Sequence, residues 1–447
     1  MKKMDFLKEA KKNEPKFLRH ACELLQIDSV LVETPESSDA PFGPGIRQSL
    51  DYILKLARKF GFKTRDIGHV AGEIEYGEGD EIIGVLCHVD VVPAAGEWKY
   101  PPFGATVENG RIYGRGSSDD KGPAMAALYA LKILKDLNFE PNKRIRLIIG
   151  TDEETSWRGI KKYFEKCEMP TMGFSPDAGF PLIYGEKGIM SIDLTSDRIN
   201  DLFVKSGVRY NVVPDFAEAK METDAKADFA AFLSETGLKG EYGDLIKLAG
   251  KNAHAMEPDN GINAAIKLCM FLSRYTKNNL VQFVAQKLSD SRFRDLGLAF
   301  SDPEMGDLTV NVAFVEIRNF EGRIGLNLRY PINWDKEGFL RKLILKSKEF
   351  GLTVKVVSDQ VPHYVDKNDP LIKTLHEAYV KVTGDDKSEI KTIGGGTYGR
   401  ALKKGVAFGP LFPGREEVAH QADEYVVIDD LIAAMAIYAT ALYELSK

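Results

Sequence analysis

Two apolar segments constrain the fold of this chain more strongly than any other feature of its sequence. Residues 82–86 are apolar on both faces, which is typical of a central strand covered by helices on both sides. Residues 145–149 form a second buried strand, and a helix is predicted between the two from Pro123, because proline is favoured in a first helical turn. The apolar stripe of that helix consists of Met125, Leu128, Leu131 and Leu134. Strand, helix and strand in this order predict a right-handed crossover and a largely parallel sheet.

The pattern changes near Gly188, where a second domain is predicted. Three segments alternate like half-exposed antiparallel strands, at residues 189–194, 309–315 and 323–330. Helical patterns lie among them at residues 228–238, 261–275 and 336–350. Strand-like and helical segments near the end of the chain complete the first sheet. We therefore expect a mixed α/β fold in which residues 1–187 and 363–447 form one domain and residues 188–362 form an inserted α+β domain.

Composition and charge argue against several classes of function. The net charge of −6 argues against a nucleic-acid partner, because binding phosphates needs a basic surplus. No apolar run approaches the roughly 18 residues that a membrane span needs. The charged start of the chain is unlike a signal peptide, and four scattered cysteines are typical of a reducing compartment. These observations predict a cytoplasmic protein with no nucleic-acid or membrane partner.

Polar side chains follow the predicted strands at three places. His88 and Asp90 follow the first strand, Glu153 and Glu154 follow the second, and Asp177 follows a third. Ligands of such sheets bind beyond the carboxyl ends of the strands. Because residues i and i+2 of an extended segment lie on the same face, Asp90 can contact His88 and fix the tautomer of its imidazole. The sequence therefore predicts a binding site at this edge of the sheet.

Five side chains are candidate metal ligands, namely His88, Asp119, Glu154, Asp177 and His420. A mixed set of imidazoles and carboxylates suits zinc, or manganese and cobalt, better than an ion that prefers sulfur. With one shared carboxylate, each of two metals has three ligands, and hydrolases use such pairs about 3.5–4 Å apart to activate water. Each motif alone also fits an ordinary polar turn or strand end, so the interpretation depends on all of them together.

Five motifs occur in the order that is typical of one enzyme family. They are His-Val-Asp at 88–90, Gly-Arg-Gly-Ser-Ser-Asp-Asp-Lys-Gly-Pro at 114–123, Asp-Glu-Glu at 152–154, Pro-Asp at 176–177 and Ala-His at 419–420. In these motifs the chain resembles the M20 family of di-zinc peptidases and deacylases, over essentially its whole length. Within that family it is most similar to dipeptidases of the peptidase V type, through residues 98–103 and 394–400.

The resemblance implies two zinc sites that share one ligand. The first zinc ion would be held by His88 and Asp177, and the second by Glu154 and His420. Asp119 would bridge the two ions. The domain that carries these residues would then be the catalytic domain, and the inserted domain would be a lid that clamps the substrate.

The resemblance also implies roles for residues around the ligands. Asp90 would orient His88, and Glu153 would be the general base that takes a proton from water and passes it to the leaving amine. A cis peptide bond is expected at Asp119–Asp120. His254 resembles the lid histidine of the family, which polarises the scissile carbonyl. A histidine in an ordinary surface loop is the alternative interpretation of His254.

The inserted domain also offers a candidate for binding the carboxylate of a substrate. Arg329 shares the polar face of a predicted strand with Asn327, and a guanidinium group binds a carboxylate through two parallel hydrogen bonds. Asn211 is a weaker candidate that would assist Arg329. An exposed arginine at the edge of a sheet fits the same pattern.

Residues 394–399 fit two interpretations. Their spacing formally matches the Gly-x-Gly-x-x-Gly fingerprint of nucleotide-binding proteins, but no long helix follows and no complete strand-helix-strand unit surrounds them. We favour a loop whose backbone N–H groups, including that of Gly395, bind a carboxylate together with Arg400.

The expected function is zinc-dependent hydrolysis of dipeptides that have a free C-terminal carboxylate, with two zinc ions per subunit and a small peptide as partner. One alternative is an N-acyl amino-acid deacylase or an enzyme like succinyl-diaminopimelate desuccinylase, which would share the metals. Another is a nucleotide or carboxylate binding protein without catalysis. The length of the inserted domain is compatible with a monomer and with a homodimer.

Overall fold

The chain divides into two compact units in the computed structural model, which describes residues 4–33, 39–196 and 202–447. The first unit consists of Met1–Tyr184, Val365–Lys391 and Thr397–Lys447, and the second consists of Gly185–Tyr364 and Thr392–Gly396. The sequence-based prediction was wrong for Thr392–Gly396, which it assigned to the first domain. These residues belong to the second unit, where the carbonyl of Ile393 accepts a hydrogen bond of 3.0 Å from the backbone N–H of Lys187.

The first unit is built on a mixed sheet. In spatial order its strands are Lys63–Asp66, Ala71–Tyr76, Arg144–Gly150, Ile82–His88, Met172–Ser175, Gly405–Ala407 and Ile183–Glu186. The four strands from Arg144–Gly150 to Gly405–Ala407 are parallel to one another, whereas the outer strands pair antiparallel. Strand Ile82–His88 is buried at every position, as expected for a strand covered on both faces. The predicted mixed α/β fold is confirmed.

Helices cover the sheet of the first unit. They are Phe6–Leu25, Pro44–Lys59, Lys121–Asp136, Arg158–Lys166, Pro370–Thr383 and Ile428–Ser446, with a short 3₁₀ turn at Tyr398–Ala401. Helix Lys121–Asp136 packs against Phe6–Leu25 and Ile428–Ser446 and is buried almost all round. Its sequence explains this position, because every residue from Ala124 to Leu134 except Lys132 is alanine, leucine, isoleucine, methionine or tyrosine. This helix begins directly after Asp119 and Asp120 and therefore fixes their position.

Short strands complete the first unit. Thr106–Glu108, Arg111–Tyr113 and Tyr425–Val427 form a three-stranded antiparallel sheet, and Ala178–Gly179 pairs with Pro410–Leu411. The first of these sheets joins a segment near Asp119 to a segment near His420, because Tyr425–Val427 pairs with Arg111–Tyr113. The segments that carry Asp119 and His420, which are distant in the sequence, are thereby connected by the backbone hydrogen bonds of this sheet.

The second unit is an α+β unit with one antiparallel sheet. In spatial order its strands are Lys239–Tyr242, Ile246–Ala249, Phe216–Lys220, Phe203–Ser206, Thr309–Arg318, Glu321–Tyr330, Gly188–Ser196 and Thr353–Gln360. Its helices are Lys226–Thr236, Ala264–Leu272, Asn279–Lys287 and Lys336–Lys348, with a 3₁₀ turn at Pro258–Asn260. The remaining short strands of this unit are Ser301–Asp302, Gly306–Asp307 and His363–Tyr364, and strand Lys391–Ile393 begins in the first unit and ends in the second. Glu321–Tyr330 was predicted to be half-exposed but is almost wholly buried, because it has a neighbouring strand on each side.

The core of the second unit is a single apolar cluster. Leu326 and Leu328 of the central strands lie in it together with Phe271 and Phe283 of the helices. In the part of the chain that the structure describes, no helix has the length and apolar character needed to cross a membrane. All four cysteines are free thiols.

Candidate metal centre

The five predicted ligands lie together in the first unit, at the carboxyl ends of its parallel strands. His88 is the last residue of one strand, Glu154 follows strand Arg144–Gly150, and Asp177 follows strand Met172–Ser175. Asp119 immediately precedes the central helix, and His420 lies in the segment before strand Tyr425–Val427. Parallel strands bring their carboxyl ends to one edge, so the sheet itself gathers the first three ligands.

Asp119 lies between the two histidines. Its Oδ1 is 3.0 Å from Nε2 of His88, and its Oδ2 is 2.9 Å from Nε2 of His420. Nε2 of His420 is also 3.1 Å from Oε1 of Glu154, and Nε2 of His88 is 3.9 Å from Oδ1 of Asp177. One carboxylate therefore presents an oxygen to each imidazole, which is the arrangement expected of a ligand shared by two metals.

Two groups of side chains have ligand atoms that all lie within 4.8 Å of one another. One group is His88, Asp119 and Glu154, and the other is His88, Glu153 and Asp177. The first group agrees with the predicted ligand set. The second contains Glu153, which was predicted to be the general base and not a ligand. Its distance from the ligands is compatible with both roles, so its role as base stays a prediction.

The imidazole of His88 is held by Asp90, but not mainly through the atom that the sequence suggested. Nδ1 of His88 lies 2.9 Å from the backbone carbonyl of Asp90 and 3.5 Å from its carboxylate Oδ1. The other carboxylate oxygen of Asp90 accepts a hydrogen bond of 3.0 Å from the backbone N–H of Glu154. Asp90 thus fixes the His88 tautomer largely through its carbonyl, and its carboxylate ties two ligand segments together.

Three residues that the sequence analysis did not select support the ligand Asp119. The Asp119–Asp120 peptide is cis, as predicted, and Oδ2 of Asp120 accepts a hydrogen bond of 3.0 Å from the backbone N–H of His88. Glu424 is fully buried and accepts hydrogen bonds from Ser118 and from the backbone N–H of Asp119. Arg115 pairs with Glu424 at 2.6 Å. Asp120 and Arg115 lie inside the recognised motif, which was the available signal, whereas nothing local distinguishes Glu424.

Tyr398 is a further residue that contacts the ligands. Its backbone N–H donates a hydrogen bond of 3.4 Å to Oδ2 of Asp177, and its ring lies edge-on to the imidazole of His88 with 6.0 Å between ring centres. Tyr398 is fully buried. Because it packs against two ligands of the same predicted metal, it restricts their side-chain rotamers.

The close packing of these charges shifts their pKa values in opposite directions. Burial and the charge of Asp119 raise the pKa of Glu154 to about 7 and that of Asp177 to about 6. Burial and the charge of Asp177 raise the pKa of Glu153 well above its usual range. Burial alone would lower the pKa of His420, but its hydrogen bonds to Asp119 and Glu154 raise it to about 11. When no metal ion is bound, the negative charge of these carboxylates can be balanced only by protons on the carboxylates and on the imidazoles.

Asp119 differs from the other carboxylates. Burial raises its pKa, but hydrogen bonds from His420 and His88 outweigh burial and leave that pKa below its usual value. The donor set consists of imidazole nitrogens and carboxylate oxygens around one shared carboxylate. These donors fit a pair of divalent cations such as zinc, manganese or cobalt, whose charge would replace the shared protons.

In the second unit, Arg329 is buried in the interior of the sheet. Its Nε donates a hydrogen bond of 2.8 Å to Oδ1 of Asn327, and its Nη1 donates one of 3.0 Å to the carbonyl of Gly394. The alternative interpretation of Arg329 as an exposed edge residue is wrong, because its side chain is only 3% exposed and its strand has neighbours on both sides. Arg329 therefore fixes the glycine-rich segment of the second unit.

His254 and Asn211 lie on adjacent exposed segments of the second unit. The backbone N–H of Ala255 donates to the carbonyl of Asn211 at 3.0 Å, and His254 forms an isolated bridge with Val212. Nδ1 of His254 accepts a hydrogen bond of 3.1 Å from the backbone N–H of Met256. A neutral ring held in this way carries its proton on Nε2.

The predicted carboxylate-binding loop is divided between the two units. Gly395 belongs to the second unit, where a Cβ atom on it would lie 3.2 Å from the sulfur of Met256. Arg400 belongs to the first unit, in the 3₁₀ turn Tyr398–Ala401. Only this short turn follows the glycines, so the strand-helix context of a dinucleotide site is absent from this described segment.

Fold and site together define an α/β protein with a candidate two-metal centre on a parallel strand edge and an inserted α+β unit. The model of peptidase family M20/M25/M40 matches residues 84–444. The chain belongs to this family, and the resemblance found in the motifs is confirmed at that level.

Curated relatives match the chain over nearly its whole length. "Putative dipeptidase YtjP" of Bacillus subtilis (strain 168) is 46% identical over an alignment of 467 positions, which covers 99% of this chain and 100% of that protein. A Staphylococcus haemolyticus (strain JCSC1435) protein, also named as a putative dipeptidase, is 43% identical over an alignment of 447 positions, which covers 94% of this chain and 95% of that protein.

Solved structures share the fold at lower sequence identity. An M20 family metallo-carboxypeptidase from Sulfolobus solfataricus has a TM-score of 0.59 at 21% identity, covering 96% of this chain and 98% of that chain. Human carnosine dipeptidase 1 has a TM-score of 0.58 at 14% identity, covering 99% and 98%. The Bacillus subtilis YXEP protein, described as a dinuclear metal binding peptidase from the M20 family, has a TM-score of 0.52 at 12% identity, covering 98% and 99%.

Proposed function

We propose that this protein is a metal-dependent dipeptidase that hydrolyses the amide bond of dipeptides with a free C-terminal carboxylate. The observation that carries the proposal is the position of Asp119, whose two carboxylate oxygens lie 3.0 Å and 2.9 Å from the Nε2 atoms of His88 and His420. The names of the two curated relatives support dipeptides as the substrate class.

The residues that would hold two zinc ions are the five predicted ligands. His88 and Asp177 would hold one ion, Glu154 and His420 the other, and Asp119 both. When bound, the pair would act as a Lewis acid and lower the pKa of the attacking water. Manganese or cobalt would suit the same donors. The neighbour described as dinuclear supports two ions in place of one.

Glu153 would move the proton in this reaction. It lies beside His88 and Asp177, and burial together with the charge of Asp177 raises its pKa. A carboxylate whose pKa is raised is a stronger base than an ordinary carboxylate, and it can accept a proton from water and return it to the leaving amine. This role differs from that of Glu154, which contacts His420 directly.

Residues of the second unit, together with Arg400 of the first, would bind and orient the substrate. His254 would donate from Nε2 to the carbonyl oxygen that becomes negative, because its Nδ1 already accepts from the backbone of Met256. Arg329 would bind the terminal carboxylate of the dipeptide. Asn211, Gly395 and Arg400 would assist in binding it. Location in the cytoplasm, and the choice between monomer and homodimer, stay predictions of the sequence.

A substrate panel with controlled metal content tests the proposal. Chelator-treated protein would be reloaded with zinc, manganese or cobalt and assayed with dipeptides, tripeptides, N-acetyl amino acids and N-succinyl amino acids. We expect fastest hydrolysis of dipeptides and loss of activity in the chelated protein. Faster cleavage of the N-acyl compounds would indicate a deacylase or desuccinylase, and ligand binding without any hydrolysis would indicate a binding protein. Equal rates for tripeptides would contradict a site restricted to dipeptides.

A further inference from the structure

The carboxylate of Glu424 has an unusual set of partners for a residue outside the ligand set. It is 0% exposed, and its Oε1 accepts hydrogen bonds from the backbone N–H of Ser118 at 2.9 Å, from the Ser118 hydroxyl at 3.0 Å and from the backbone N–H of Asp119 at 3.3 Å. Its Oε2 pairs with Nη1 of Arg115 at 2.6 Å. A buried carboxylate is stable only when paired and hydrogen-bonded in this way.

The backbone of Glu424 contacts the same segment as its side chain. The carbonyl of Glu424 accepts a hydrogen bond of 2.9 Å from the N–H of Gly114. Arg115 is 1% exposed, and its other terminal nitrogen donates to the carbonyl of Pro93 at 3.4 Å. Glu424 therefore fixes the segment 114–119 at both of its ends.

Glu424 also belongs to the segment that carries the other ligand of the pair. It lies four positions after His420 and directly before strand Tyr425–Val427. Hydrogen bonds fix the segment between His420 and Glu424. The carboxylate of Asp423 accepts them from the backbone N–H groups of Lys99 and Tyr100 at 2.9 Å and 3.1 Å. One buried side chain thus connects the backbone of Asp119 to the segment of His420.

We propose that Glu424, paired with Arg115, is a positioning residue that holds Asp119 and His420 at the separation that two metal ions need. The proposal rests on the proposed metal centre. Oδ2 of Asp119 and Nε2 of His420 are 2.9 Å apart, the backbone N–H of Asp119 donates to Glu424, and His420 lies on the same short segment as Glu424. A shared carboxylate tolerates little displacement, because it must reach two ions at once. Residues that support ligands in this way change metal affinity or activity by about 10- to 100-fold when they are replaced.

The test is a metal titration of Glu424→Gln against the unaltered protein. Glutamine keeps the size of the side chain but removes its charge and turns one acceptor into a donor. Its amide group therefore faces a donor on one side, either the N–H groups of Ser118 and Asp119 or Nη1 of Arg115. We expect affinity for zinc, measured by competition with a chromogenic chelator, to fall about 10- to 100-fold. We also expect the visible absorption spectrum of the cobalt-loaded protein to change, and kcat to fall while KM for the dipeptide is retained.

Glu73→Gln is the matched control. Glu73 is 4% exposed, accepts a hydrogen bond of 2.8 Å from Tyr163 and lies 3.8 Å from Nε of the buried Arg146, so its replacement also breaks a buried ion pair of the first unit. It contacts none of the predicted ligands through these bonds. We expect it to lower the melting temperature while metal affinity and the cobalt spectrum stay unchanged. Equal losses of metal affinity in Glu73→Gln and Glu424→Gln would overturn the proposal.

Ser118→Ala keeps the test decisive if Glu424→Gln does not fold. It removes one donor to Glu424 and leaves the charge pair with Arg115 intact, and we expect a smaller loss of zinc affinity in the same direction. Folded variants at Glu424 and Ser118 with unchanged affinity and cobalt spectrum would refute the positioning role. The titration needs no substrate, so a protein that binds two metals but cleaves no dipeptide would refute the proposed function and still test this inference.

Discussion

The candidate residues of the two units differ in how their own unit holds them. In the first unit, the ligands His88, Asp119 and Glu154 contact one another or residues that are themselves buried. In the second unit, His254 and Asn211 are exposed and are held through backbone hydrogen bonds of short segments. Arg329 of the second unit is an intermediate case. It is buried like the ligands of the first unit, but it donates hydrogen bonds to Asn327 and to the carbonyl of Gly394, which belong to its own unit.

This difference agrees with the two separate roles that we propose for the units. A cluster of charges whose pKa values shift in opposite directions is organised to bind cations, and its members depend on one another. Exposed side chains on fixed backbone are organised to meet a ligand from solution. Replacements in the first unit should therefore change metal binding and the chemical step, whereas replacements in the second should change substrate recognition.

The largest expected effect is that of Glu153→Ala. If Glu153 moves the proton, kcat falls by up to about 10⁴-fold, the upper range for general acid-base groups, while two metals remain bound. Dipeptide hydrolysis and the metal content of the same sample are the measurements. The exposed residue Glu165 of helix Arg158–Lys166 provides a control, since Glu165→Ala should change neither. Loss of one metal from Glu153→Ala would make Glu153 a ligand.

His254→Ala tests whether the second unit contributes to the chemical step at all. Removal of one donor to a developing oxyanion lowers kcat by about 10²- to 10³-fold, and we expect a loss in that range. Metal content should not change, because His254 is not among the predicted ligands. Lys251→Ala, at an exposed position of the same segment, is the control and should retain kcat. A change in KM with kcat retained would mean that His254 binds the substrate and takes no part in the chemical step.

Arg329→Met tests the carboxylate site. Hydrogen bonds to charged groups contribute about 1.5–3 kcal/mol, so KM should rise about 10- to 150-fold. The unaltered protein should discriminate against dipeptide amides, and the variant should lose that discrimination. Arg323→Met is the control, because Arg323 is partly exposed and pairs with Asp193 at 2.8 Å. If the variant still prefers the free carboxylate, another residue binds that group.

The smallest expected effect is that of Gly394→Ala. A Cβ atom at this position would lie 3.1 Å from Cβ of Met256 and 3.3 Å from its carbonyl oxygen, so the segment must shift by a few tenths of an ångström. Such a shift should raise KM severalfold through Arg329, which donates to the carbonyl of Gly394. Gly395→Ala meets the flexible sulfur of Met256 and should have less effect. The reverse order of the two KM values would contradict this explanation.

The sequence was most informative where a pattern was local. The apolar run that ends at His88 predicted a covered strand, and the spacing of two residues predicted that Asp90 would contact His88. The same spacing could not specify which oxygen of Asp90 lies nearer, because the carboxylate is drawn to the backbone N–H of Glu154, far away in the sequence. The face of a strand is local information, whereas the competing partner is not.

Other features depend on residues that only the fold brings together. Arg115 and Glu424 are 309 positions apart, and neither has a local pattern that identifies a buried ion pair. Helix Arg158–Lys166 was not predicted, because nine residues are too few for its apolar spacing to repeat along the sequence. The interior position of Arg329 likewise depends on neighbouring strands and not on its own segment.

The insertion of the second unit also has a consequence for biosynthesis. Strand Gly405–Ala407 pairs with Met172–Ser175, so the parallel sheet cannot be completed until the ribosome has made the whole intervening segment. Closing so long a loop costs little at equilibrium, about 0.6 kcal/mol for each doubling of its length, but contacts of high sequence separation form slowly. The nascent chain therefore leaves this edge of Met172–Ser175 without its native neighbour until Gly405–Ala407 has been made. Because His420 follows that strand in the sequence, the five predicted ligands can assemble only after the strand and the segment beyond it have been made.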